Sequence, residues 1–201
     1  IMSTTCALLL CRRGLTEEHA TTSVESSGKR PNIVLIMADD QGYGDMSCHG
    51  NPTQQTPNID RLHSESVRFT DFHVAPFCTP TWAALMTGRY AARTGAYRTS
   101  SGRTSLHDRE KTLGNLFTIN GYATGIFGKW HLGKAGGGPE NQGFEISIGA
   151  GHIGAPQSYF APYLSEKGAH GDAGAPPNMK PGAKGSYLTD RLTDEAIGCL
   201  D

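Results

Sequence analysis

Several signals are missing from this 201-residue chain, and each absence closes off a class of function. Charge of one sign is missing. Eighteen Lys and Arg against 19 Asp and Glu leave a net charge of −1, so the composition carries no basic face for nucleic acid. Long apolar runs are missing too, and no segment is long enough to span a membrane as a helix. No Asn-x-Ser/Thr acceptor occurs, because Asn51 is followed by Pro52, which removes one sign of a glycosylated secreted protein. The five cysteines, Cys6, Cys11, Cys48, Cys78 and Cys199, match neither a zinc spacing nor a disulfide framework. Their odd count leaves at least one thiol free or modified. No internal repeat is visible.

What is present is enough apolar residue, 37%, to build one domain with a core. Twenty-six Gly and 11 Pro imply many turns and long loops. Residues 1–30 are rich in Ser, Thr and Glu and lack periodicity; they are expected to be a leader, the remnant of a signal peptide or a linker. The short apolar run Cys6–Cys11 resembles the tail of a signal-peptide core, although Arg12 and Arg13 follow it. The fold is expected to start at Pro31. Ile33–Ala38 is apolar throughout, as a strand covered on both faces would be, and ends in Asp39-Asp40. A helix is expected from Thr56-Pro57 to about Ser66 with Ile59 and Leu62 inward, then a short strand over 67–72. A further helix from Thr112, a strand over Ala123–Gly128 and a helix over Leu188–Leu200 complete the pattern. Strands alternating with helices predict an α/β fold, a mostly parallel central sheet with helices on both faces. Between Gly133 and about Ser186 regular pattern mostly disappears, as in active-site loops or a packing surface.

Cys78-Thr79-Pro80-Thr81-Trp82 draws the eye because a cysteine stands at a helix-start signal. Thr79 suits an N-cap, Pro80 the first helical position, and Gly88 the close. A nucleophile there would sit at the positive end of a helix dipole, where backbone N–H groups hold anions. On this window alone, a buried structural thiol is the commoner role. Asp39 and Asp40 at the end of a central strand lie where open α/β sheets place their sites, and their oxygens suit Ca²⁺ or Mg²⁺. A simple turn, helped by Gly42 and Gly44, explains the pair nearly as well. If the strand before Gly128 continues, Lys129 and His131 project to one side, a cation and an imidazole able to hold an anion and manage a proton. Taken singly, a solvated Lys and a hydrogen-bonded His are the commoner roles.

In combination and in this order, these segments resemble the N-terminal part of the sulfatase family, of arylsulfatase type. The matching pieces are Pro31–Asp40, Gly42-Tyr43-Gly44-Asp45, Thr56–Asp60, the Cys78 segment with Thr87-Gly88-Arg89, Gly128–His131, and Tyr187–Asp190 with Asp194-Glu195-Ala196. The resemblance covers residues 31–201 and implies a partial catalytic domain of the alkaline-phosphatase-like sulfatase fold. It implies that Cys78 is converted by a formylglycine-generating enzyme to formylglycine. One hydroxyl of the hydrated aldehyde attacks sulfur and the alcohol leaves; the second helps expel sulfate and regenerates the aldehyde. It implies Ca²⁺, ahead of Mg²⁺, held by Asp39, Asp40 and the modified Cys78, with Lys129 binding sulfate and His131 orienting or deprotonating the diol. Substrates would be aryl or carbohydrate sulfates, with no nucleic-acid partner and no membrane span, in an extracytoplasmic setting. His152, Tyr159 and His170 lie in the loop-rich stretch where specificity is expected.

The chain departs from the family pattern in two ways. The family motif is Cys-x-Pro-x-Arg, and Trp82 stands where Arg belongs, offering one N–H donor and no charge. Poor conversion of Cys78 and little turnover are the expectation. The family pattern also places further metal and sulfate ligands later in the chain, and these are expected beyond Asp201. Two other functions stay open: a non-catalytic sulfatase-like binding protein, which Trp82 favours, and a phosphoester or phosphonate hydrolase of the same superfamily.

Overall fold

The structure, a computed structural model, describes residues 5–12 as backbone together with 30–100, 103–133, 137–164, 175–180 and 182–200. Four strands form one sheet: β1 (Thr5–Arg12), β2 (Ile33–Ala38), β3 (Tyr122–Phe127) and β4 (Ile146–Ile148). The order is β2-β1-β3-β4. Strand β1 runs antiparallel to both neighbours, with Leu8 opposite Leu35 on one side and Ile126 on the other, while β3 and β4 are parallel. Three of the four strands therefore share one direction, as the α/β reading requires. The strand β1 falls in the stretch read as leader or linker. A short apolar run between polar flanks has the same signature whether it ends a signal peptide or fills a sheet, so sequence alone does not separate the two. The stretch between Gly133 and Ser186, read as irregular, contributes β4, a strand of three residues and too short to show a period.

Among the described residues, five α-helices accompany the sheet: α1 (Pro57–Glu65), α2 (Cys78–Thr87), α3 (Ala91–Thr94), α4 (Leu113–Ile119) and α5 (Leu188–Gly198). Alternate residues of a strand face opposite sides, and the two sides of β3 meet different helices. Tyr122 and Ile126 join Trp82 and Met86 of α2, with Leu113 and Phe117 of α4 packed against them. Phe127 instead meets Ala196 of α5. Helices thus cover both faces at β3. Strand β2, expected to be covered on both faces, is covered on one among the described residues: Ile33, Leu35 and Met37 join the main core, whereas Val34 and Ile36 stay 50% and 64% exposed.

Local chemistry sets the helix ends. Thr112 caps α4 by accepting from the Asn115 amide, and the Asn115 side chain returns the bond to the Thr112 N–H. Gly88 closes α2 in the left-handed region at φ 64°, its N–H bonded to the Ala84 carbonyl. Buried Glu110 accepts from Arg89 Nη1 at 2.7 Å on both oxygens, tying the end of α2 to the loop before α4. Three sequence expectations shift. The strand over 67–72 is not formed, and that stretch is irregular chain with Val67, Phe69 and Phe72 exposed. Helix α1 forms, but Leu62, expected inward, is 61% exposed and no α1 residue is buried. The strand before Lys129 stops at Phe127.

Candidate active site

Helix α2 begins on Cys78 itself, two residues earlier than the capping pattern implies, with extended Phe77 at the N-cap. Thr79 is therefore free to serve another role, and Thr81 donates its hydroxyl to the carbonyls of Ala75 and Phe77. Pro80 falls in the first turn, where a missing N–H costs nothing because those groups have no helical partner. The N–H groups of Cys78 and Thr79 lie at the positive helix end, beside the thiol.

The loop after β3 supplies the facing groups. Gly128, at φ 105°, turns the chain out of the strand, and its N–H bonds to the Ile148 carbonyl. Lys129 and His131 do not share a side through strand alternation, as the sequence reading supposed; His131 is left-handed at φ 55°. They converge by way of this loop, which buries Lys129, Trp130, His131 and Leu132 in succession. The His131 N–H bonds to the Gly151 carbonyl, and Trp130 donates its indole N–H to Gly137. Gly154 leaves room for the imidazole, since a Cβ there would come within 2.7 Å of His131 Cε1.

His131 Nδ1 lies 3.2 Å from Cys78 Sγ and 3.5 Å from Thr79 Oγ1. Burial pushes the imidazole pKa below its ordinary value, and the Lys129 charge pushes it further; Asp39 acts in the opposite sense, and His152 adds to the lowering. A neutral ring within reach of the Cys78 position can accept a proton there. Lys129 Nζ meets Asp39 Oδ2 at 2.7 Å, both side chains largely buried. Cys78, His131, Lys129 and Asp39 are thus linked into one constellation at the carboxyl ends of β2 and β3. Asp40 is exposed at φ 56° and, among the described residues, makes no hydrogen bond to the other four.

Beside Lys129 opens a recess lined by His152, Gly154, Gln157, Tyr163 and Leu188 among others. His152 was anticipated as part of a loop surface; Tyr159 instead packs near Tyr163 in a small cluster with Leu188, and His170 lies outside the described residues. Thr79 and Gly154 were missed as site residues. A threonine after a cysteine reads as a cap, and a glycine among many carries no signal of what it faces.

The donor set agrees with a hard divalent cation in kind but not in arrangement. Asp39 already holds the Lys129 ammonium and Asp40 faces outward. Asp39, Asp40 and Cys78 do not gather as three ligand atoms within 4.8 Å; among the described residues only Cys48, His49 and His63 do. These residues alone do not build a shell of six to eight oxygens.

The sulfatase family model matches residues 31–201. The chain belongs to the sulfatase family. Human arylsulfatase A is 48% identical over 126 residues, covering 59% of this chain and 25% of that protein. Human steryl-sulfatase is 47% identical over 128 residues, with 59% and 21% covered, and human arylsulfatase G is 43% identical over 133 residues, with 63% and 25% covered. The chain therefore spans about a quarter or less of the length of these curated relatives. Family membership gives the sheet its context as part of an alkaline-phosphatase-like α/β fold. It also makes position 82 informative. Trp82 is 2% exposed in the main core, and its indole N–H finds no hydrogen-bond partner among the described residues.

Proposed function

We propose that this chain carries part of the catalytic centre of a sulfuric ester hydrolase, with Cys78 as the nucleophile precursor, His131 as its proton partner and Lys129 as the sulfate-binding cation. The observation that supports this most directly is the 3.2 Å approach of His131 Nδ1 to Cys78 Sγ at the start of α2. Formylglycine at position 78, made by a formylglycine-generating enzyme, would supply a hydroxyl nucleophile in place of the thiol. His131, neutral at pH 7, would take that hydroxyl's proton. The N–H groups at the start of α2 and the Lys129 ammonium would hold the anionic sulfate. Asp39 and Asp40 would contribute carboxylates to a Ca²⁺ site, or less favourably Mg²⁺. The recess beside Lys129 would receive the organic part of an aryl or carbohydrate sulfate, and the setting would be extracytoplasmic. Among the described residues no helix is long and apolar enough to cross a membrane.

A second reading draws on Trp82. A tryptophan seated in the core where the family motif has arginine favours a sulfatase-like binding protein without turnover. One experiment separates the two. The mass of the peptide containing Cys78 is measured after expression with a formylglycine-generating enzyme, in the natural chain and in Trp82→Arg, alongside release of sulfate from an aryl sulfate. Conversion that rises with Trp82→Arg and brings hydrolysis supports the enzyme. Complete conversion with hydrolysis still at background, in a protein extended to the length of its relatives, overturns it in favour of binding.

A further inference from the structure

The strongest unassigned constellation lies away from the site above, where a tight turn meets the last turn of α1. Cys48 and His49 are neighbours in the short 3₁₀ turn Ser47–His49, and His63 reaches them from α1. One ligand atom from each side chain lies within 4.8 Å of the others, and all three residues are half-buried. We infer that Cys48, His49 and His63 form a binding site for a zinc-class divalent ion, with a fourth position open to water.

Three features support this. First, both imidazoles already present the lone pair a metal needs. His49 Nδ1 donates to the Tyr43 carbonyl at 2.7 Å, an acceptor only, which leaves the Nε2 lone pair free. A backbone carbonyl on the far nitrogen is the usual device for fixing a ligating histidine. His63 Nε2 accepts from Arg68 Nη1 at 3.2 Å, a donor only, so its lone pair also sits on Nε2. The Arg68 guanidinium, exposed and able to swing away, occupies the place of the metal cation at that nitrogen.

Second, the frame is rigid. Asp60 accepts from Ser47 Oγ at 2.6 Å, Thr56 Oγ1 at 2.8 Å and the Cys48 N–H at 3.0 Å, which pins the turn to the start of α1. The Tyr43 ring stacks on His49 with centroids 4.1 Å apart, and His49 meets His63 edge-on at 6.0 Å. Third, the donor set is selective. One thiolate with two imidazoles suits Zn²⁺ and disfavours Ca²⁺ and Mg²⁺, which take oxygen. Partial burial and the Asp60 carboxylate push the Cys48 thiol up in the metal-free protein; the charge of a bound divalent ion reverses that preference.

The test uses the purified, untagged, metal-stripped protein. Co²⁺ is titrated while the thiolate-to-cobalt charge-transfer absorption is followed, and Zn²⁺ is then added to displace it. One equivalent is expected to give the band. Cys48→Ser is expected to abolish it and Cys78→Ser to leave it. His49→Gln and His63→Gln are each expected to weaken Co²⁺ binding tenfold or more with an unchanged circular dichroism spectrum. Arg68→Gln, which removes the competing cation from His63 Nε2, is expected to tighten binding severalfold. The proposal is overturned if no band forms, if the band survives Cys48→Ser, or if it disappears only in Cys78→Ser. An unchanged or lower affinity in Arg68→Gln overturns the assignment of His63 Nε2.

Discussion

The loop after β3 and the turn before α1 each gather reactive side chains, and they hold them by opposite means. Lys129 and His131 are interleaved with Trp130 and Leu132, both fully buried in the main core. Position there is fixed by apolar packing, and the polar groups ride on it. Cys48, His49 and His63 sit on elements with no buried residue, fixed by hydrogen bonds that converge on Asp60. The first arrangement gives a dry, low-dielectric site that shifts an imidazole pKa. The second gives a polar, water-accessible cage whose chemistry depends on keeping one carboxylate charged. Ser47, Thr56 and the Cys48 backbone hold the Asp60 carboxyl below the usual carboxylate range.

The sharpest way to break this contrast is Trp130→Ala. Removing a fully buried indole flanked by both site residues should cost about 4 kcal/mol in urea unfolding. The same variant should leave Co²⁺ binding at Cys48 intact wherever the fold persists. A loss below 1 kcal/mol would mean that packing does not hold the loop. Next in size is Arg89→Ala, which strips the nearest cation from a carboxylate that is 1% exposed and should cost on the order of 3 kcal/mol. Arg109, with its Nε 3.9 Å from Glu110, can restore part of this, so Arg89→Ala with Arg109→Ala should be worse than the sum of the two. Thermal unfolding of the three variants checks it.

A smaller effect should appear on acidification. The folded pKa of His131 lies below the ordinary value of 6.5, so the unfolded chain takes up this proton first as pH falls. The associated stability is complete above about pH 6.5 and declines as pH drops through that value toward the lowered one. The unfolding midpoint should therefore fall faster with acid in the natural chain than in His131→Gln. An imidazole resonance for His131 titrating at or above 6.5 would contradict the burial account. The smallest effect should come from Leu62→Ser on α1, within about 0.5 kcal/mol of the natural chain, because that side chain is 61% exposed. A larger loss would show that α1 has an apolar partner after all.

Much of this contrast can be read in the sequence and some cannot. Strand β2 is legible because its run is apolar at every position, and α4 because Thr112 is a helix-start signal ahead of Leu113 and Phe117 at core spacing. The site residues Cys78, Lys129, His131 and Asp39 come from motif order, which names them without saying what touches what. The contact between Cys78 and His131 depends on two residues of positive φ in a loop, Gly128 and His131, and no periodicity announces it. Strand β1 was missed because apolar length is a signal shared by leaders and strands. The Cys48 cluster was missed because its ligands come from a turn and a helix 14 residues away and obey none of the familiar zinc spacings. Trp82 was legible as an anomaly, but its burial in the core needed the fold.

The reversed strand at the centre of the sheet bears on the reach of a single side chain. Strands β2 and β3 both hydrogen-bond to β1 and not to each other, so their ends stand two interstrand steps apart, about 10 Å. Asp39 follows directly on β2 and Lys129 lies two residues past β3, yet their charged atoms meet at 2.7 Å. The ion pair is a strut across the width of a whole strand. Its length, and not only its sign, is what lysine provides at that position: a short cationic side chain would leave the two strand ends unbraced over the edge of β1.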